Sequence, residues 1–440
     1  MTLYKTYKDS GIEWIGSIPS HWEVKKIKHR CYVKARVGWK GLKSDEFLQE
    51  GYAYLVTGSD FKNDKVNWKE CYHIDKERYD EDPYIQLQDE DLLITKDGTI
   101  GKLAIVNNLD KPACLNSGIF VVRSTKDDFS TEFLFWVLKS KMFTQFNEYT
   151  SYGSTIQHLY QNVFVEFGYT FPSKEEQTAI ASYLDSKTAE IDALITDKNH
   201  LLQLYEEEKA AVINQAVTKG ISPKVKMKDS GIEWLGEIPE HWEAVNLKWV
   251  SKIYSGGTPS KNNEDYWQNG TIPWLNSGTV NQFYISEPSE FITEEALKNS
   301  SAKWIPEDSL VIALAGQGKT KGMAAQVMFK ATCNQSMGVI VPNDLIENRF
   351  LLYYLVRNYQ NIRNLGGGDK RDGINLEMVG GISIPLLPIK EQQAIVRHIE
   401  SEYALIDAKI VKTQKLMELL TEYRTALISE VVTGKIKVIN

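Results

Sequence analysis

Between residues 176 and 220 the apolar positions recur at the a/d spacing of a heptad: Ile180, Leu184, Ile191, Leu194, Leu201, Tyr205 and Val212. No Pro or Gly interrupts the stretch before Gly220, which reads as a C-terminal stop. The pattern predicts one helix of about 44 residues, ~66 Å long at ~1.5 Å per residue. So long an apolar seam needs a partner, and residues 391–435 supply one, aligning with the first stretch without a gap at an offset of 215. Ile180 aligns with Ile395, Leu184 with Ile399, Ile191 with Ile406, Leu201 with Leu416 and Tyr205 with Leu420, and Leu427 continues the seam. Polar seam positions recur as well, Lys187 opposite Glu402 and Lys198 opposite Thr413 in the alignment.

A second repeat brackets the first. DSGIEWIGSIPSHWE at 9–23 returns as DSGIEWLGEIPEHWE at 229–243, with twelve of fifteen positions identical at an offset of 220. The chain is therefore two copies of one unit: a short motif, a variable globular segment and a long helix. The motif is rich in turn residues and reads as an irregular clamp in which Trp14 and Trp22 pack down; a catalytic role for His21 or His241 is the weaker reading. The first globular segment shows short strand-like runs at 52–57, 92–95, 103–106 and 119–123. It also shows one helix at 131–147, capped by Ser130, whose stripe of Phe133, Trp136, Val137 and Phe143 is assigned to the core. The second segment repeats the plan with little identity: 310–312 stands for 92–94, and Cys333-Asn334-Gln335-Ser336 falls near Cys114-Leu115-Asn116-Ser117. The predicted class is α/β (mixed α+β): two globular domains separated by a pair of long antiparallel coiled-coil helices, a pseudo-two-fold tandem repeat. Its segments are 1–172, 173–221, 222–388 and 389–440.

Composition narrows this little. Of 440 residues, 42% are hydrophobic and 25% charged, ordinary for a globular protein. The four cysteines are far apart, with no metal-ligand spacing, so no metal site is expected. No apolar run approaches the ~20 residues of a membrane span, and the N-terminus lacks a signal core, so a cytoplasmic protein with no membrane contact is expected. The net charge of −7 is uneven: residues 24–44 carry eight Lys and Arg and no acid. ALAGQGKT at 313–320 is close to a phosphate-binding loop, but Ala313 replaces its first Gly and a strand-like run follows. Glu206, Glu207 and Glu208 point different ways on a helix and read as a solvated face. Catalytic residues: none are assigned.

The tandem layout, the repeated motif, Ser255-Gly256-Gly257-Thr258-Pro259 opening the second domain, and Pro385-Leu386-Leu387-Pro388 running into Glu391-Gln392 resemble the specificity (S) subunit of type I restriction–modification systems, the HsdS family. Pro172-Ser173 into Glu176-Gln177 is the looser first copy, and the first domain has residues 34–41 in place of the Ser-Gly-Gly-Thr-Pro stretch. The resemblance implies two target recognition domains, each reading one half of a split double-stranded DNA site. It also implies long helices that set the half-site spacing and dock two methyltransferase subunits, and restriction/translocase subunits that complete the complex. S-adenosylmethionine, ATP and Mg belong, on that picture, to the partner subunits. Since the domains differ, an asymmetric target is expected. Phosphate contacts are assigned to Lys34, Arg36, Lys40, Lys43, Lys96 and Lys102 in the first domain, and to Lys261, Lys319, Lys321, Lys370 and Arg371 in the second. Ser154, Thr155, Gln157 and His158 are assigned to base edges. Two other readings stay open: a coiled-coil scaffold joining protein-binding modules, and a nucleotide hydrolase using Lys319 and Thr320.

Overall fold

The computed structural model describes residues 3–36, 42–43, 46–150, 158–316, 318–366 and 373–438. Its contacts divide the chain into two units, Met1–Lys198 with Gln414–Asn440, and Asn199–Thr413, so each long helix gives one half to each unit.

In the first unit the short motif folds as a two-stranded turn, Tyr7–Asp9 against Ser17–Pro19. The strand after it, Glu23–Lys26, pairs antiparallel with Gly168–Phe171, so the recognition segment is closed by its own two ends. Between them the main sheet runs Cys31–Lys34, Ile119–Ser124, Leu92–Thr95, Leu103–Ile105, Lys65–Val66, Phe61–Lys62, and a smaller sheet runs Ala113–Leu115, Ala53–Val56, Tyr72–Ile74. Leu92–Thr95 is buried throughout because both its faces are covered. Leu92 and Ile94 enter the core shared with the long helices, while Leu93 enters the core beneath the smaller sheet. The helix predicted over 131–147 is two helices, Thr131–Lys139 and Lys141–Thr150. Ser140 breaks it by adopting extended backbone, its hydroxyl donating to the Val137 carbonyl at 2.6 Å.

The second unit repeats the core of this topology, with five strands in its main sheet against six and four in its smaller sheet against three among the described residues. Its main sheet runs Ser251–Ser255, Met337–Pro342, Leu310–Ala313, Ala324–Val327, Tyr284–Ile285, and its smaller sheet runs Glu290–Ile292, Ile272–Leu275, Ala331–Cys333, Trp304–Ile305. The parallel pairings recur too, Ala113–Leu115 on Ala53–Val56 and Ala331–Cys333 on Ile272–Leu275. Low identity between the two segments therefore hides one fold.

The long helices are Lys174–Lys219 and Ile389–Val432. Their antiparallel pairing is visible within the second unit, where Lys209 meets Asp407 and Glu208 meets Lys409, one number rising as the other falls. In the first unit Ile180, Leu184 and Ile191 share a core with Leu427, Ile428, Val431 and Val432. Ile395, Ile399 and Ile406 are buried in the second unit as well. The strict heptad does not hold along the whole seam. Leu194 and Leu416 are exposed, Leu201, Tyr205 and Leu420 are half-buried, and Ile195 packs inward instead of Leu194. A straight helix drifts ~20° per heptad from a 3.5-residue repeat, so positions assigned by strict spacing rotate off the seam.

One dipeptide, repeated, fixes each recognition segment to its helix. Glu176 accepts from Trp22 Nε1 at 3.2 Å and Tyr4 OH at 3.1 Å and contacts His21 Nε2 at 3.1 Å; Glu391 accepts from Trp242 Nε1 at 3.1 Å and meets His241 Nε2 at 2.9 Å. The neighbouring glutamines face the other way. Gln177 accepts from Ser130 N at 2.8 Å and donates to the carbonyls of Asp128 and Pro172. Gln392 accepts from Glu347 N at 2.7 Å and donates to those of Leu345 and Leu387. Glutamate thus clamps the short motif and glutamine the start of the short helix.

The glutamate clamp has a pH signature. Burial pushes the Glu176 carboxyl upward, but hydrogen bonds from His21, Trp22 and Tyr4, with the charge of His21, outweigh it, and the net shift is below the ordinary 4.5. A depressed folded value means that this carboxylate's stabilisation is complete above the unfolded pKa and is lost as pH falls through the folded one. Denaturation midpoints of the first unit, followed from neutrality to about pH 3, are expected to fall below about pH 4.5 in the wild type and to fall less in Glu176→Gln. Equal slopes for the two proteins would remove the clamp from the acid transition.

Candidate functional site

The strand ends away from the glutamine latches converge, in each domain, on a polar rim. In the first domain Asn116 N donates to the Val56 carbonyl at 2.9 Å, Lys96 N to Gly118 O at 2.8 Å, and Leu159 N to Lys96 O at 3.0 Å. These bonds knit three loops together: 57–59, 96–101 and 116–118. In the second domain Asn334 N donates to Leu275 O at 3.0 Å, Leu314 N to Ser336 O at 2.8 Å, and Ile374 N to Leu314 O at 2.7 Å, joining 276–278, 314–322 and 334–336. The register makes Lys96 the counterpart of Leu314, Asn116 of Asn334, Ser117 of Gln335, and Gly101 of Gly322. Both glycines hold left-handed backbone, φ 83° and 84°. The rims share a frame but not their chemistry. The first carries Lys96 and His158, both paired with Asp97. The second has Leu314, Ala315 and Gly373 at the matching places, with Gln335 exposed and its Oε1 accepting from Thr258 Oγ1.

Several predicted contact residues sit on these rims. Lys102 is exposed beside the first hairpin turn and Lys319 at the second. Lys96 is mostly covered, 2.8 Å from Asp97. Lys43 is exposed, and Lys34 stands 5.7 Å above the Tyr84 ring. Lys261 is held by Glu290 at 2.7 Å and lies 3.4 Å from the Trp267 ring centroid. Lys40, Ser154, Thr155, Gln157, Lys370 and Arg371 lie outside the described residues.

Two assignments are corrected. Arg36 is buried, 3% exposed; Nε donates to Leu115 O at 3.0 Å and Nη2 to Cys114 Sγ at 3.4 Å, so it is a core group rather than a surface cation. Lys321 is equally buried because its loop lies flat on the helix Tyr359–Asn364. There Arg363 donates to the carbonyls of Gly318 and Lys321, and Tyr359 OH to that of Lys319. The acid-free run at 24–44 is also less basic in space than in sequence. Lys26 and Lys28 share Glu166, holding its carboxyl down to about 2, and Arg30 meets Asp128 at 3.2 Å.

The rim polar groups Thr57, Ser59, Asn116, Ser117, Asn276 and Asn334 were not singled out by sequence as contacts, although the likeness of 114–117 to 333–336 was a usable signal. The 313–320 stretch is the turn of a hairpin: after Thr320 the chain passes Gly322 into the strand Ala324–Val327, paired antiparallel with Leu310–Ala313. A phosphate loop needs a helix N-terminus at that point, and here a strand occupies it. No helix among the described residues is long and apolar enough to cross a membrane.

The family described as Type I restriction modification DNA specificity domain matches residues 19–204 and 239–418. The chain is 26% identical to the MjaIX specificity subunit of a type I restriction enzyme from Methanocaldococcus jannaschii, over 96% of this chain and 95% of that one. It is 31% identical to the EcoR124I/EcoR124II specificity subunit of Escherichia coli over 40% of this chain and 42% of the other. Among solved structures, the HsdS subunit from Thermoanaerobacter tengcongensis has the same fold, with a TM-score of 0.62 at 15% identity over 95% of this chain and 98% of that one. A chain from a study of the assembly and conformational transition of the type I R-M system reaches 0.69 at 16% identity, covering 95% of this chain and 99% of that one.

Proposed function

This chain belongs to the type I restriction modification DNA specificity family, and from that premise we propose that it reads an asymmetric, two-part double-stranded DNA site, one half per recognition domain. The observation that carries the reading is the pair of rims: one backbone frame, repeated in the register of its central strands, with Lys96, Asp97, His158 and Ser117 in one copy and Leu314, Ala315, Gly373 and Gln335 in the other. Like frames with unlike polar edges suit two half-sites of different sequence, since base edges are discriminated by side-chain donors and acceptors. Lys102 and Lys319, exposed beside the turns, serve the phosphates.

The long helices dock the methyltransferase subunits, and restriction/translocase subunits join them. What supports this is apolar surface left open on the helices: Leu194, Leu419 and Tyr423 in the first unit, Leu204, Leu405 and Val411 in the second. Methyl transfer and cleavage belong to those partners, with their S-adenosylmethionine, ATP and Mg, and this chain aims them.

The test is a domain exchange. Replacing residues 24–171 with the corresponding segment of another specificity subunit, followed by genome-wide mapping of methylated adenines, is expected to change one half of the recognised site and leave the other as it was. Changes in both halves, or in neither, would overturn the assignment. Binding should also weaken steeply as salt rises, through counterion release; binding indifferent to salt would favour the protein scaffold instead.

A further inference from the structure

The main sheets of the two domains can be superposed residue by residue through their hydrogen-bond register, and one position stands out. Lys34 pairs with Val121, and Tyr254 pairs with Val339 at the matching place, so Arg36 is the counterpart of Gly256. The two solve the same problem differently. The strand Ala113–Leu115 ends at the Leu115 carbonyl, directly before the rim residues Asn116 and Ser117. The strand Ala331–Cys333 ends at the Cys333 carbonyl, directly before Asn334 and Gln335.

In the second domain that carbonyl accepts from the backbone N–H of Gly257 at 2.8 Å. The approach is so close that a Cβ on Gly256 would lie 2.0 Å from the Cys333 oxygen. In the first domain no glycine pair is present, and the Arg36 side chain makes the bond to the Leu115 carbonyl instead, with Nη2 on Cys114 Sγ one residue earlier. Arg36 is 3% exposed, and among the described residues its Nη1 has no partner. A buried cation is costly unless it is hydrogen-bonded, and apolar side chains fill such sites readily, so packing alone does not account for an arginine here.

We propose that Arg36 is a positioning residue for base reading by the first domain: its buried guanidinium fixes the Leu115 carbonyl, and through it the 116–118 loop, doing with a side chain what Gly256 and Gly257 do with backbone in the second domain. This rests on the recognition role proposed above. The rigid fork is what suits arginine to the task, because it binds two acceptors of one strand end at once, which a lysine does not. The unlike devices also leave the two rims separately adjustable, since a change at Arg36 touches the first half-site only.

The experiment uses the full chain assembled with its methyltransferase subunits and the site found by methylation mapping. Methyl-transfer rates are measured on the cognate duplex and on duplexes carrying single-base changes in either half. In Arg36→Met the penalty for wrong bases in the half read by the first domain is expected to shrink by about tenfold or more, the scale of one good base contact, while second-half discrimination stays at the wild-type value. Arg36→Lys is expected to fall between. Hydrogen exchange on the wild-type complex is the companion measurement and needs no variant to fold: cognate DNA is expected to protect the amides of residues 116–118. Undiminished discrimination in Arg36→Met, equal loss in both halves, or no DNA-dependent protection of 116–118 would each overturn the proposal. A wild-type complex with no base preference in either half would instead remove the recognition role itself.

Discussion

Gln177→Ala will destabilise the first unit by about 3–5 kcal/mol, and Gln392→Ala the second by as much. Each side chain is fully buried and serves three backbone groups: an N–H and a carbonyl at the start of the short helix, and a carbonyl just before the long one. Truncation strands all three, and each unsatisfied buried group costs about 1–3 kcal/mol. The lost methylenes are the smaller part of the effect. Glutamate at either position keeps the acceptor but loses the donor, and should be nearly as damaging, because it adds a buried charge beside two carbonyls. Urea titrations of the four single variants check this, and a loss under about 1 kcal/mol in either alanine variant would mean that the latch is ornamental.

The second large effect lies inside the first domain. Asp91 is 1% exposed and takes Arg123 Nε at 2.6 Å and Nη2 at 2.7 Å, together with the backbone N–H of Gln88 at 2.7 Å. Arg123 also reaches the Gln86 carbonyl at 2.9 Å. Removing the carboxylate leaves a half-buried guanidinium without its counter-charge. Asp91→Ala is expected to cost about 3–5 kcal/mol, as for other broken buried pairs. The pair itself need not be strongly stabilising, because desolvation offsets much of the Coulomb gain. The double variant Asp91→Leu/Arg123→Met should therefore melt above Asp91→Ala. If the double variant melts lower than the single, the guanidinium left without its counter-charge carries little desolvation cost here.

What could be read without coordinates was whatever repeats locally. The helix Lys174–Lys219 was legible because its apolar spacing is a property of neighbours on one face, and Gly220 marked its end. The Leu92–Thr95 and Leu310–Ala313 strands were legible as apolar runs between turns. Arg36 was misread because its acceptor, Leu115, lies 79 residues away, and a basic residue beside other basic residues looks like surface. The same distance effect hid the neutralising acids: Glu166 is 140 residues from Lys26. Leu194 was misplaced by a smaller error, the slow rotation of a straight helix against a strict heptad. The Glu-Gln dipeptide could be seen to repeat, yet its division of labour depends on which way each side chain points, which the alignment does not contain.

The division of the chain into units has a consequence for its birth on the ribosome. The second unit, Asn199–Thr413, is one unbroken stretch, whereas the first needs Gln414–Asn440 to complete it. Leu427, Ile428, Val431 and Val432 fill its core, and Gly434 sits against Pro19 and Trp22. The portion made earliest must therefore wait, partly open, until the last turns of helix emerge, while the portion made later can close first. A nascent chain stalled with residue 413 just clear of the exit tunnel should resist limited proteolysis in its later half and be cut readily in its earlier half. The reverse pattern would show that the first 198 residues close without their final strap.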